Sequence, residues 1–211
     1  MFLFNRTVTL EGNPRDTIPW ALDMTAFVNE HTDLHVGLWS VMFGAPIGTM
    51  VFSTFVDSRA IFEASTRSLM TNDEYLAKID QALEWTAAPP TDTLREVVHQ
   101  GGGEYRRAEV GNAVQIITAE VAAGQYGYAM TWCAEITDLV SSITDVPALF
   151  LKDVYGQFGQ VTWLASFTDL TEVDRAQEAL NKDPDYLAKV DNGGELFIPG
   201  SGTQGLAQRI G

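Results

Sequence analysis

The sequence predicts an α+β chain that writes one strand–helix–strand–strand–helix–strand unit twice. Three observations carry that expectation. The hexamer Tyr-Leu-Ala-Lys-Ile/Val-Asp stands at 75–80 and again at 186–191, 111 residues apart and each time after an acidic stretch. The same offset lays residues 48–69 on 159–180 without a gap, so that Gly48 meets Gly159, Phe52 meets Trp163, Val56 meets Phe167 and Leu69 meets Leu180. In both segments the apolar period then changes from two to helical spacing at the same place, and pattern is what folding reads.

The elements follow in order. "FLFNRTVTLEG" at 2–12 and "AVQIITAEVAAG" at 113–124 read as opening strands. "IPWALDMTAFVNEH" at 18–31 and "YGYAMTWCAEITDLV" at 126–140 read as amphipathic helices, with Trp20, Met24, Phe27, Val28 and Tyr128, Trp132, Ile136 as their apolar stripes. "LHVGLWSVMFG" and "PALFLKDVYGQFG" follow as second strands. Third strands show period-two alternation, Met50, Phe52, Thr54, Val56 against Val161, Trp163, Ala165, Phe167. Each turns through a cap-forming residue, Ser58 or Asp169, into a helix, and Thr171 with Asp174 is spaced for a capping box. The hexamers come just after these second helices, with Leu76 and Leu187 expected to face inward. After the proline and glycine interruptions "TAAPP" and "IPGSG", the strands "TDTLREVVHQ" and "TQGLAQRIG" close the two units.

That order is the ferredoxin-like split βαβ unit, a four-stranded antiparallel sheet with both helices on one face. Stretches such as "VGLWSVMF" and "VTWLASF" are too apolar for their other face to meet water. The expectation is therefore two ferredoxin-like βαββαβ repeats packed sheet to sheet as an intramolecular α+β barrel. Residues 1–100 form the first repeat, 101–107 a flexible linker, and 108–211 the second.

At this point the chain resembles the dimeric α+β barrel superfamily, here as a tandem fusion. "DPDYLAKV" is similar to the D-P-x-Tyr/Trp turn of several members, among them NIPSNAP-like proteins and antibiotic-biosynthesis-type monooxygenases; the first copy departs from it with "NDEYLAKI". The resemblance implies the fold, and it implies a choice among haem-degrading enzymes, quinol monooxygenases, isomerases and non-catalytic ligand sensors. Asn5 matches the asparagine of the haem-degrading branch, but its histidine partner is missing. The second helices, 58–70 and 169–181, hold no histidine to ligate iron, so no haem and no other cofactor is expected.

Composition narrows the function. The 211 residues are 45% hydrophobic and 19% charged, enough for a substantial core. The 28 acidic against 13 basic residues give a net charge of −15, which repels phosphate backbones and anionic membranes. Nucleic-acid and membrane partners are therefore not expected. No apolar run reaches the about 18 residues of a membrane span, and no basic leader marks a signal peptide. A lone cysteine, Cys133, forms no internal disulfide and reads as a buried structural thiol, which fits the cytoplasm.

No metal site is expected either. His31 and His35 have helical ligand spacing but straddle a helix end and a strand start. What remains is an aromatic interior with few polar groups. His35, placed on one strand face with Trp39, and Asn5 are the candidate catalytic groups; Trp39, Tyr128 and Trp132 are the candidate ligand contacts. The reading is a cytoplasmic small-molecule-binding or assembly protein, with room for an apolar ligand and a homo-oligomer. The alternative is a cofactor-independent monooxygenase or isomerase acting on an apolar aromatic molecule.

Overall fold

The computed structural model describes residues 1–105 and 107–211; Arg106, inside the expected linker, lies outside the described residues. The first half holds β1 (Phe2–Thr9), α1 (Pro14–His31), β2 (Gly37–Phe43), β3 (Thr49–Val56), α2 (Arg59–Met70), α3 (Asp73–Ala82) and β4 (Thr91–Gly101). The second holds β5 (Ala113–Glu120), α4 (Tyr126–Thr144), β6 (Ala148–Tyr155), β7 (Gln160–Phe167), α5 (Leu170–Lys182), α6 (Pro184–Gly193), a single 3-10 turn and β8 (Thr203–Arg209). The strands close an antiparallel barrel in the order β1-β3-β2-β8-β5-β7-β6-β4. Each half contributes four neighbouring strands, and the halves join edge to edge at two seams, β2 with β8 and β4 with β6. Both seams carry bulges, which absorb the register mismatch between the two sheets.

Both faces of the sheet are apolar because both are covered. Leu3, Val114, Leu149, Leu151, Leu164 and Ala207 fill the barrel, with Trp39, Phe55, Val97 and Ile116 packed against them. On β1 the alternate residues Phe4, Arg6 and Val8 point the other way, toward the helices. Closure of the barrel leaves no free sheet edge.

The local signals explain most elements. Asn13 caps α1, accepting from the Arg15 N–H at 3.0 Å, and Pro14 takes the first helical position. Ser58 and Asp169 cap α2 and α5, accepting from the N–H groups of Ile61 and Glu172. Gly48 and Gly159 stand at positive φ in equivalent hairpins, +87° and +82°. A Cβ on Gly48 would lie 2.3 Å from the Leu10 carbonyl oxygen.

Four local expectations need correction. The hexamers do not merely trail the second helices; each starts a helix of its own. Asn72 and Asp183 supply the N-caps, and Tyr75 and Tyr186 take the same third helical position. The cap of α5 is built on Asp169 and not on Thr171 with Asp174: Asp169 accepts from the Glu172 N–H, and the Glu172 carboxylate accepts from the N–H and hydroxyl of Thr168, one residue before the cap. The connection after β4 is not a loose tether throughout. Tyr105 enters the barrel wall, its hydroxyl 2.6 Å from the Ser166 hydroxyl and its ring edge-on to Phe55. Lastly, Leu76 packs against the core of the first half, but Leu187 is 45% exposed because α6 turns that side to solvent. Leu187→Ala is therefore expected to change stability by no more than about 0.5 kcal/mol in urea unfolding. A loss above about 2 kcal/mol would show a buried Leu187.

Candidate functional site

The helices of each half rest on the outer face of its sheet, and in each half they leave a cavity. The N-terminal cavity has a volume of about 550 Å³. Phe4, Arg6 and Val8 from β1 and Phe52 and Thr54 from β3 form its floor. Trp20, Met24 and Val28 of α1, Phe62 and Leu69 of α2, and Tyr75 and Ile79 of α3 form its walls. The C-terminal cavity, about 440 Å³, is built the same way from Gln115, Ile117 and Ala119 of β5, Trp163 and Ala165 of β7, and Trp132, Ile136, Leu180, Tyr186 and Val190 of the helices. Floor residues pair at an offset of 111, as do Tyr75 with Tyr186 and Leu69 with Leu180; Trp20 and Trp132 pair at 112. Both volumes lie in the usual range of small-molecule pockets, and both linings are mostly apolar with a few polar groups.

A latch recurs in both halves and accounts for the repeated hexamer. The Trp20 indole N–H donates to the Lys78 carbonyl at 3.0 Å, and that of Trp132 donates to the Lys189 carbonyl at 3.1 Å. The Lys78 ammonium meets the Asp23 carboxylate, and the Lys189 ammonium meets that of Glu135. Each Trp thus satisfies its one donor on the neighbouring helix and leaves its ring against the cavity. Edge-on contacts fix those rings, Trp20 on Phe52 at 6.3 Å and Trp132 on Trp163 at 6.2 Å. In the second half the approach is closer: a Cβ on Gly193, where the first half has Ala82, would fall 2.4 Å from the Trp132 ring.

The polar groups differ between the cavities. In the N-terminal one the Arg6 guanidinium forms a two-point pair with Asp92, Nε to Oδ1 at 2.8 Å and Nη2 to Oδ2 at 2.7 Å. Asp92 and the adjoining Tyr75 raise the Arg6 pKa above its ordinary value, so the group stays a cation. In the C-terminal one no charged side chain lines the wall among the described residues. Burial pushes the Tyr186 phenol up and keeps it neutral.

The sequence-expected residues are dispersed. His35 is exposed in the loop ahead of β2 and lines neither cavity; the strand begins at Gly37, three residues after the Leu34 start that the sequence reading gave it. Tyr128 is 74% exposed, since the buried stripe of α4 runs through Ala129, Cys133, Ile136 and Thr137. Trp39 packs in the barrel core. Asn5 also points inside the barrel; with its amide assigned to the orientation its neighbours satisfy, it donates to the Ser53 hydroxyl and the Phe4 carbonyl and accepts from Arg95, each at 2.9 Å. Only Trp132 of the five lines a cavity.

The other reactive groups have structural occupations. His31 stacks on Phe27 at 3.9 Å, His99 pairs with Asp138 at 2.8 Å, and burial pushes the Cys133 thiol up. Among the described residues no three His, Cys, Asp or Glu side chains gather as a metal site, and no helix is long and apolar enough to cross a membrane. The sequence reading missed Arg6 and Tyr75. A charge at the centre of the alternation Phe4, Arg6, Val8, on a face that must be covered, was the available signal for Arg6.

No protein-family model matches the chain, and no curated protein shows a significant match. Solved structures do. A candidate monooxygenase from Fusobacterium nucleatum superposes with a TM-score of 0.73 at 6% identity, covering 100% of this chain and 92% of its own. An anthrone oxidase-like protein gives 0.71 at 12% identity, covering 100% and 91%. A major regulator of staphylococcal pathogenesis gives 0.58 at 11% identity over 100% of both chains. The chain therefore has the dimeric α+β barrel fold, carried within one polypeptide. At such identities the likeness concerns the fold, and the names attached to it span enzymes and a regulator.

Proposed function

We propose that this protein binds flat apolar small molecules in the cavities between its sheet and its helices. The observation that carries the reading is the pair of aromatic-walled cavities, about 550 and about 440 Å³, at equivalent places in the two halves. The shared strand order supports a companion inference, that residues 1–100 and 108–211 are ferredoxin-like repeats of one duplicated unit. Titration with a two-ring hydrocarbon such as 2-isopropylnaphthalene is expected to raise the melting temperature, the fold gaining about 2.7 kcal/mol at about 100 times Kd. Thr54→Phe with Ala165→Phe, which place rings in the two cavities, should abolish the shift. No shift with any two- or three-ring aromatic would remove this reading.

A second reading is cofactor-independent oxygenation of such a molecule, favoured by the monooxygenase and oxidase-like names of similar structures. His35 no longer supports it, because an exposed imidazole cannot reach a proton on a buried ligand. Oxygen uptake with an anthrone-type substrate separates the two readings: consumption dependent on the protein supports oxygenation, and binding without consumption supports the first.

A further inference from the structure

The two cavities differ most at one position. Arg6 enters the N-terminal cavity from β1, and Ile117 stands 111 residues on in the other. Stability does not explain the arginine. Its pair with Asp92 is partly exposed, 38% and 44% by side chain, and such pairs contribute about 0–1 kcal/mol. The equivalent β5 position carries an isoleucine.

Arg6 commits Nε and Nη2 to Asp92, which leaves Nη1 as the donor turned to the Tyr75 side of the guanidinium. A guanidinium offers only donors, and the Tyr75 phenol adjoins it. Asp92 already balances the cation, so a full anion would gain little to offset its own desolvation. A neutral acceptor gains a charge-assisted hydrogen bond without that cost. Aromatic rings flank the site, with Phe4 against Phe62 at 4.4 Å and Trp20 against Phe52.

We infer that the N-terminal cavity takes a flat aromatic molecule bearing a neutral carbonyl oxygen, of the aryl ketone or quinone class, with that oxygen at Arg6 and Tyr75. The C-terminal cavity, with Ile117 at that position and only neutral polar groups in its lining, offers no such charged donor. This rests on the cavities being binding sites, and the test separates the two statements. In the full chain carrying Ala165→Phe, tryptophan fluorescence titrations compare 2-acetylnaphthalene with 2-isopropylnaphthalene, its oxygen-free counterpart. The ketone is expected to bind about tenfold tighter, as a hydrogen bond to a charged group implies. Arg6→Ile, which copies the other half, should bring the ratio of the two probes' affinities to about one. Should Ala165→Phe fail to fold, the otherwise unaltered chain reads two hydrocarbon sites, one of which prefers the ketone until Arg6→Ile is introduced. Equal affinities before that substitution overturn this inference and leave cavity binding standing. Failure of both probes to bind overturns both.

Discussion

Phe150→Ala is expected to lower the unfolding free energy by about 3–5 kcal/mol, the usual cost of deleting a fully buried phenylalanine. Phe150 has no exposed surface and lies on the helix-facing side of β6, in one cluster with Ala129, Cys133 and Val161. Its ring stacks on Trp163 at 6.0 Å and 26°. Trp163 forms the floor of the C-terminal cavity, so the truncation also loosens that floor. The result expected from urea unfolding is a lower midpoint at unchanged slope. A loss below about 1 kcal/mol would show that the helix layer collapses onto the gap, and with it that the neighbouring cavity is not held open.

Asp153→Ala is the second large effect, also about 3–5 kcal/mol, because it strands a buried cation. The Asp153 and Arg95 side chains are 1% and 12% exposed, and Arg95 Nε donates to Asp153 Oδ1 at 2.8 Å. Arg95 also holds Asn5, so one residue ties β1, β4 and β6 together at the seam between the halves. Asp153 Oδ2 lacks a partner, and burial outweighs the Arg95 guanidinium, raising the Asp153 pKa above the ordinary carboxylate range. A raised carboxylate acts opposite to a well-paired one. The folded state holds the proton more tightly than the unfolded chain, so this contribution to stability is complete below the unfolded pKa. It is lost as the pH rises through the folded value. The wild-type chain is therefore expected to gain stability relative to Asp153→Asn as the pH is lowered through the carboxylate range. A relative loss in chemical unfolding over that window would show that Arg95 dominates and the pKa is depressed.

Helix starts were legible where a side chain caps its own backbone. Ser58 and Asp169 act within three residues of themselves, and no distant partner decides them; Asn72 and Asp183 do the same, but in the sequence the hexamers after them read as the trailing ends of the preceding helices. The strands were legible as apolar on both faces, and that both faces are covered followed from the same count. The boundary of β2 was not. His35 sits among apolar neighbours in "DLHVGLW", and alternation cannot tell a strand residue from the loop residue before it. Tyr128 failed for a related reason: spacing groups it with Trp132 and Ile136, but the buried face of α4 lies one residue on, through Ala129, Cys133, Ile136 and Thr137.

By itself the sequence determined the order of the strands and of the four helices it read between them, the 111-residue correspondence and an acidic charge that repels phosphate. These depend on residues near one another in the chain or on composition alone. Only the tertiary structure decided which residues meet in the candidate site. Arg6 and Tyr75 are 69 residues apart, and Trp20 reaches the Lys78 carbonyl across 58. A cavity exists where two surfaces fail to touch, so it depends on the height at which a helix rests above a sheet. That height is set by packing between distant segments, with the ring of Trp20 on Phe52 and of Trp132 on Trp163 holding the helices away from the strands.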